Sequence, residues 1–180
     1  MTGIFRSLAF ACLITCFISC AKETAVTPDT HGDIDTTIAP VTDSFPQNKV
    51  DRTALLRLVN GLRTRGCNCG ETAMPPVSAI SWNGTLEKAA WLHSKDMKEK
   101  KYFDHLAPDG VNPGQRLDAV GYNWTWYGEN IASGFTEEQA VVLGWLSSPK
   151  HCQNMMSPNF TEMGVGRYET LWTMELGARK

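Results

Sequence analysis

The chain has 180 residues, 42% of them hydrophobic and 20% charged, with 17 Lys and Arg against 19 Asp and Glu for a formal net charge of −2. That is enough chain and enough apolar content for one globular domain with a real core. The near balance of charge, with no long block of either sign, excludes the broad basic surface that nucleic acid binding requires, and Lys98, Lys100 and Lys101 read as one solvated helix face.

Residues 1–19 read as an export signal. Arg6 supplies a weak positive start, and Leu8 to Ile18 is apolar over a signal-peptide length, too short for an easy membrane span. The segment ends in Phe17-Ile-Ser-Cys20 before turning polar, which resembles the lipobox of bacterial lipoproteins and makes Cys20 the expected lipidation site. Acyl chains there would hold the protein to a lipid bilayer at about 0.8 kcal/mol per buried CH₂. Residues 20–48, rich in Thr, Asp and Pro without helical period, read as a flexible tether, and residues 49–180 as the folded domain.

Between Lys49 and Arg65, Leu55, Leu58, Val59 and Leu62 recur at helical spacing, and Gly66 follows as a stop. Cys67-Asn-Cys-Gly70 and Met74-Pro-Pro76 predict a rigid loop, because consecutive prolines cannot continue a helix. A second helix is expected over Leu86 to Lys101, with Leu86, Ala90, His93 and Met97 on its buried stripe, so His93 is read as a core histidine. Gln115 to Val120 has room only for a short helix between glycine- and proline-bearing turns. A third helix is expected to open at Thr136 as cap with Gln139 reaching back, run through Trp145 and stop at Pro149. Met163 to Tyr168 and Leu171 to Leu176 predict an antiparallel hairpin, which makes the domain α+β.

Tyr102-Phe-Asp-His105, Gly128-Glu-Asn130 and Ser148-Pro-Lys-His-Cys152 place His105, Glu129 and His151 in loop-like settings far apart in sequence. Two imidazoles and a carboxylate brought together can hold a divalent metal such as zinc with a coordination position open, or move protons around a bound ligand. Of the six cysteines, Cys12 and Cys16 leave with the signal and Cys20 is committed to lipid, so Cys67, Cys69 and Cys152 remain. A bridge from either Cys67 or Cys69 to Cys152 closes a loop of about 85 residues, worth about 4 to 5 kcal/mol in the chain-entropy model, whereas Cys67 to Cys69 would close a small strained ring. That arithmetic already claims Cys152, so a catalytic pair of Cys152 with adjacent His151 is rejected. Trp124, Trp126, Tyr127 and Trp172 suit either a lipid or glycan groove or an aromatic core.

Taken in order, Trp82-Asn, Ala89-Ala90, His93-Ser-Lys-Asp-Met97, Tyr102-Phe-Asp-His105, Pro108-Asp-Gly110, Arg116, Gly128-Glu-Asn-Ile-Ala132, Trp145, Ser148-Pro-Lys-His-Cys-Gln-Asn154 and Phe160-Thr-Glu-Met-Gly-Val-Gly166 form a specific series. It resembles a bacterial CAP-superfamily domain, also called the SCP domain, over Val50 to Leu176. The resemblance implies an α-β-α sandwich with a central antiparallel sheet and a cleft lined by His105, Glu129 and His151, able to bind a divalent cation in some members. It also points to Cys69 as the partner of Cys152. Ser148 falls where many members carry a second glutamate, which leaves the metal set incomplete; Glu162 could supply a carboxylate only if the fold turns it inward.

With no HExxH, no G-x-S-x-G and no separate nucleophile–base pair, binding outranks catalysis. The expectation is an exported, lipid-anchored protein of a bacterial cell envelope, periplasmic or surface-exposed, binding a small apolar, lipid or sterol-like ligand or an envelope component. The alternatives are a metal-dependent hydrolase of peptide, lipid or cell-wall material using His105, His151 and Glu129, and a structural adhesin-like domain.

Overall fold

The computed structural model describes residues 45–180. The expected signal segment, Cys20 and the tether as far as residue 44 lie outside the described residues. Packing begins before Lys49: Phe45 meets Trp91 edge-on at 5.2 Å, and Asn48 is buried, donating to Glu87 Oε1 and the Val165 carbonyl while accepting from the Arg167 amide. An amide side chain that satisfies three partners at once fixes the chain there.

Helix α1 (Arg52–Arg65) is capped by Asp51, whose carboxylate accepts from the Ala54 amide, and it ends at Gly66 with φ +75°. Its buried positions are Leu55, Leu56, Val59 and, against expectation for a basic residue, Arg63. Arg63 donates to the carbonyls of Ser78, Met155, Ser157 and Phe160, so one guanidinium ties α1 to two chain segments through four carbonyls.

The expected rigid loop is instead a small hairpin, β1 (Cys67–Cys69) with β2 (Thr72–Met74), turned at Gly70 with φ +63°; the prolines begin only after it. Strand β3 (Ser81–Trp82) leads into helix α2 (Gly84–Lys100), capped by Asn83. The predicted stripe of Leu86, Ala90, His93 and Met97 is buried. Helix α3 (Pro113–Ala119) starts two residues before the predicted Gln115, because Asn112 and Gln115 form a reciprocal cap and Pro113 suits the first turn.

Two elements depart from expectation. Gly128-Glu-Asn130 is not a loop but the middle of strand β4 (Trp124–Ser133). Ser148 to Cys152 is not a loop either: helix α4 (Glu138–Ser147) stops before Pro149, and a new helix α5 (Pro149–Met155) starts on that proline. The predicted Thr136 cap is corrected too: the N-cap is Glu137, without a side-chain capping bond. There the chain is held by tertiary contacts instead, with Arg167 donating to the Thr136 carbonyl and the Asp51 amide to Glu138.

Strands β5 (Glu162–Tyr168) and β6 (Leu171–Arg179) form the hairpin, and the sheet runs β3-β5-β6-β4, antiparallel except for the two-residue β3–β5 pair. Helix α2 lies on one face. On the other, α1, α4 and α5 enclose a core with Met163, Val165, Trp172, Met174 and Leu176 from the sheet, giving an α+β, α-β-α sandwich. Strand β4 is an edge, and the candidate site sits on it.

Candidate functional site

Alternation along β4 sends Glu129 and Asn130 to opposite faces. Glu129, with a side chain only 2% exposed, accepts from His105 Nδ1 at 2.6 Å on one oxygen and from Arg116 Nη2 at 2.6 Å on the other. Arg116 reaches there from α3 and also donates to the His105 and Val111 carbonyls, so it holds the loop that carries His105. The His105 side chain remains 47% exposed. A buried carboxylate thus presents a half-exposed imidazole to solvent, its Nε2 without a partner among the described residues.

Behind the carboxylate, His93 Nε2 lies 3.8 Å from Glu129 and 3.1 Å from the Asp104 carbonyl, while Tyr102 donates to Asp96. His93 is buried as predicted and also backs the site. Glu175 lies directly opposite Glu129 on β6, fully buried, and no protein N–H or O–H reaches either of its oxygens. Two facing carboxyls can hydrogen-bond only if one of them keeps its proton. Burial first, then the Glu129 charge, push Glu175 well above the ordinary carboxylate range, so it is the protonated one.

The charge states separate accordingly. Burial raises Glu129, but the hydrogen bond from His105 and the Arg116 charge outweigh it and hold this carboxylate below its ordinary value. The bond to Glu129 raises His105. Burial drives His93 down to about 4 and also lowers His151, which is opposed further by the charge of His105.

On the opposite side of the strand, Asn130 donates to the His151 carbonyl and accepts from Asn154, which also donates to the Glu129 carbonyl. These amide bonds dock α5 on the sheet edge and set His151, half-buried, within electrostatic reach of His105. Ser148 caps the α4–α5 junction through its backbone, with no side-chain capping bond. Glu162 is turned elsewhere: it accepts from Asn83, Tyr122 and Arg179. Cys69 and Cys152 are joined in a disulfide that pins the β1–β2 hairpin to α5.

Glu129 has no oxygen left over for a divalent metal, and His105 Nε2 is the donor of this pair that a metal could still reach. His105 Nδ1 and Glu129 Oε1 are bound to each other, and the Arg116 cation occupies the other carboxylate oxygen. Among the described residues, the one group of three His, Cys, Asp or Glu donors within 4.8 Å of one another is Cys67, Cys69 and Cys152.

Of the aromatics, Trp172 is wholly buried in the core, whereas Trp126 and Tyr127 are exposed beside Trp124, which meets Tyr127 edge-on. An open groove of about 220 Å³ between α2 and α3 is lined by Lys88, Ala89, Leu92, Arg116, Ala119 and Val120. It shares Arg116 with the Glu129 cluster. Arg116 stands in the ordered motif series without an assigned role, and nothing in the sequence marks Glu175 as a site residue, since it lies far from His105 and Glu129 in the chain.

The sequence model of the cysteine-rich secretory protein family matches residues 56–171, which takes in most of α1, all of α2, and His105, Glu129 and His151. The chain belongs to the CAP family. Curated relatives of this CAP chain include the uncharacterized protein YkwD of Bacillus subtilis, 41% identical over 93 residues, 51% of this chain and 36% of that protein. The uncharacterized membrane protein YlbC of the same organism is 32% identical over 90 residues, 50% of this chain and 26% of its own length. The chain therefore spans about a third or less of these relatives. Among solved CAP-like structures, an extracellular protein containing an SCP domain from Bacillus anthracis is 31% identical with a TM-score of 0.62, covering 71% of this chain and 40% of its own. An outer surface protein of Borrelia burgdorferi shares the fold at 23% identity and a TM-score of 0.57, covering 71% and 89%. No helix of the CAP domain, among the described residues, is long and apolar enough to cross a membrane.

Proposed function

We propose that this chain is an exported, lipid-anchored envelope protein whose CAP domain binds a small amphipathic ligand, an alkyl chain with an anionic or hydrogen-bond-accepting head. The observation that carries the reading is the charge arithmetic at Glu129: one buried carboxylate is met by both Arg116 and His105. With His105 protonated, one positive charge is left over at the exposed imidazole. The adjoining groove is lined by the apolar Ala89, Leu92, Ala119 and Val120 and by the cations Lys88 and Arg116. At about 220 Å³ it falls below the usual range for drug-sized ligands, which favours a single short chain over a whole sterol.

Titration of the full chain with a medium-chain alkyl carboxylate and with the alcohol of the same length tests this. Ala119→Trp, which fills the groove, is expected to weaken both by at least about tenfold, and His105→Gln to weaken the carboxylate about tenfold with little effect on the alcohol. Unchanged affinity in Ala119→Trp would count against the groove.

Anchoring is tested separately. Cys20→Ser should move the protein from the membrane to the soluble fraction of fractionated cells, and unchanged partition would sink the lipoprotein assignment.

A hydrolytic reading draws on the opposite displacement of His105 and His151, the pattern of an acid and a base tuned apart. It requires turnover of an ester, amide or glycoside panel that vanishes in His105→Ala with His151→Ala. Turnover that appears only with added zinc would favour the metal version.

A further inference from the structure

Cys67 is the free cysteine among the described residues, half-buried at the start of β1, and its Sγ lies 3.8 Å from the Sγ of Cys152. Residues two apart on a strand share a face, so Cys67 and Cys69 both present sulfur to α5. All three sulfurs lie within 4.8 Å of one another, in a pocket closed by Met156, Leu62, Met74 and Val77. A thiol held against an existing disulfide is close enough for exchange, and attack in line with the Cys69–Cys152 bond takes a rotation of the Cys67 side chain, because the three sulfurs, all within 4.8 Å of one another, are not collinear.

We propose that Cys67 is the nucleophile of an intramolecular thiol–disulfide exchange that passes the bond to Cys152 from Cys69 to Cys67 and back. The Cys67 thiolate attacks the Cys152 sulfur; the Cys67–Cys152 bond forms as the Cys152–Cys69 bond breaks. The electron pair leaves on the Cys69 sulfur, which takes up the proton that Cys67 gave. One disulfide and one thiol stand on each side, so no outside oxidant or reductant enters.

The exchange alters what α5 is tied to. The resting bridge holds the hairpin with Gly70 against Pro149, where a Cβ would meet the ring at 3.0 Å. Bonding through Cys67 moves the attachment two residues along β1, toward the end of α1, on the same helix that carries His151. It also moves the thiol from a half-exposed position to a buried one, since Cys69 is 1% exposed. Burial holds the Cys67 thiol above its ordinary value, so exchange is slow at neutral pH and quickens as the solution becomes alkaline.

The test is to remove the resting partner in the full chain. In Cys69→Ser purified in air, mapping of unreduced peptides should find Cys67 bonded to Cys152, with labelling by N-ethylmaleimide lost at both. A folded Cys69→Ser chain in which Cys67 and Cys152 both take the label would overturn the proposal. Should that variant not fold, the wild-type chain decides: it is held in mildly alkaline buffer, quenched in acid, unfolded, labelled and fragmented. Label on Cys69 as well as Cys67 supports exchange, with Cys67→Ser as the control that leaves Cys69 unlabelled. Label confined to Cys67 at every incubation time refutes it.

Discussion

Gly166→Ala is expected to leave little folded protein. A Cβ at residue 166 would stand 2.0 Å from the Trp91 amide nitrogen and 2.3 Å from its Cα, and one at Gly164 would stand 2.1 Å from the Glu87 amide nitrogen. The obstacle is helix backbone, which cannot swing aside as a side-chain tip can. Helix α2 is therefore seated directly on the glycine face of β5, an approach that only a residue without Cβ permits. Lifting α2 by the width of a methyl group would also break the bonds of Ser94 to the Gly166 carbonyl and to Thr173, and would withdraw His93 from Glu129. The expected cost exceeds about 4 kcal/mol, placing it in the small class of severe substitutions and consuming much of a typical domain's stability. Soluble yield and the urea midpoint measure it. Gly61→Ala is the contrast: there the Cβ meets only the tip of Arg65, so stability should hold or rise by up to about 1 kcal/mol from helix propensity. A Gly166→Ala protein within 1 kcal/mol or so of wild type would refute the account of α2 seating.

Glu175→Gln is expected to stabilise the domain at neutral pH and to flatten its stability profile. Glu175 is buried between β4, β5 and α2, faces Glu129, and is raised well above its ordinary value. A carboxyl whose native pKa lies above its unfolded pKa binds its proton more tightly in the native state. Its contribution is therefore fully present below the unfolded value, near 4.3, and is lost as pH rises from there through the native pKa. Glutamine has the shape of the protonated acid and does not titrate. The two proteins should be about equally stable near pH 4, and the variant should gain as pH rises, by about 1.4 kcal/mol for each unit by which the native pKa exceeds the unfolded one. Denaturation in urea at a series of pH values reads the difference directly. A variant less stable than wild type at pH 8 or so would show that Glu175 is held as a useful charge, contrary to the assignment of its proton.

Both substitutions concern contacts that local sequence does not announce. The helical periods of α1 and α2 and the hairpin of β5 and β6 are legible because they depend on spacing within one segment. Leu55, Val59, Leu86, Ala90, His93 and Met97 reveal their buried faces by recurrence at three and four residues. Strand β4 escapes that kind of reading. Trp124 to Ser133 lacks clean alternation, with Gly128 beside Glu129 and Asn130, and the glycine is explained only by the Phe160 ring packed against it. The α4 cap and the start of α5 fail for a related reason: tertiary bonds replaced the local one at Thr136, and a proline that ends one helix also begins the next.

His105, Glu129 and His151 are visible in the sequence as chemistry, and the ordered motifs around them carry the family. What the residues do to one another was decided by strand pairing and docking. Pairing of β4 with β6 sets Glu175 against Glu129, docking of α3 brings Arg116 to the same carboxylate, and Asn130 with Asn154 anchors α5 beside it. Those contacts cross tens of residues and leave no period to detect. They leave a carboxylate whose oxygens are already taken by an arginine and a histidine, because a guanidinium that reaches a buried anion satisfies it.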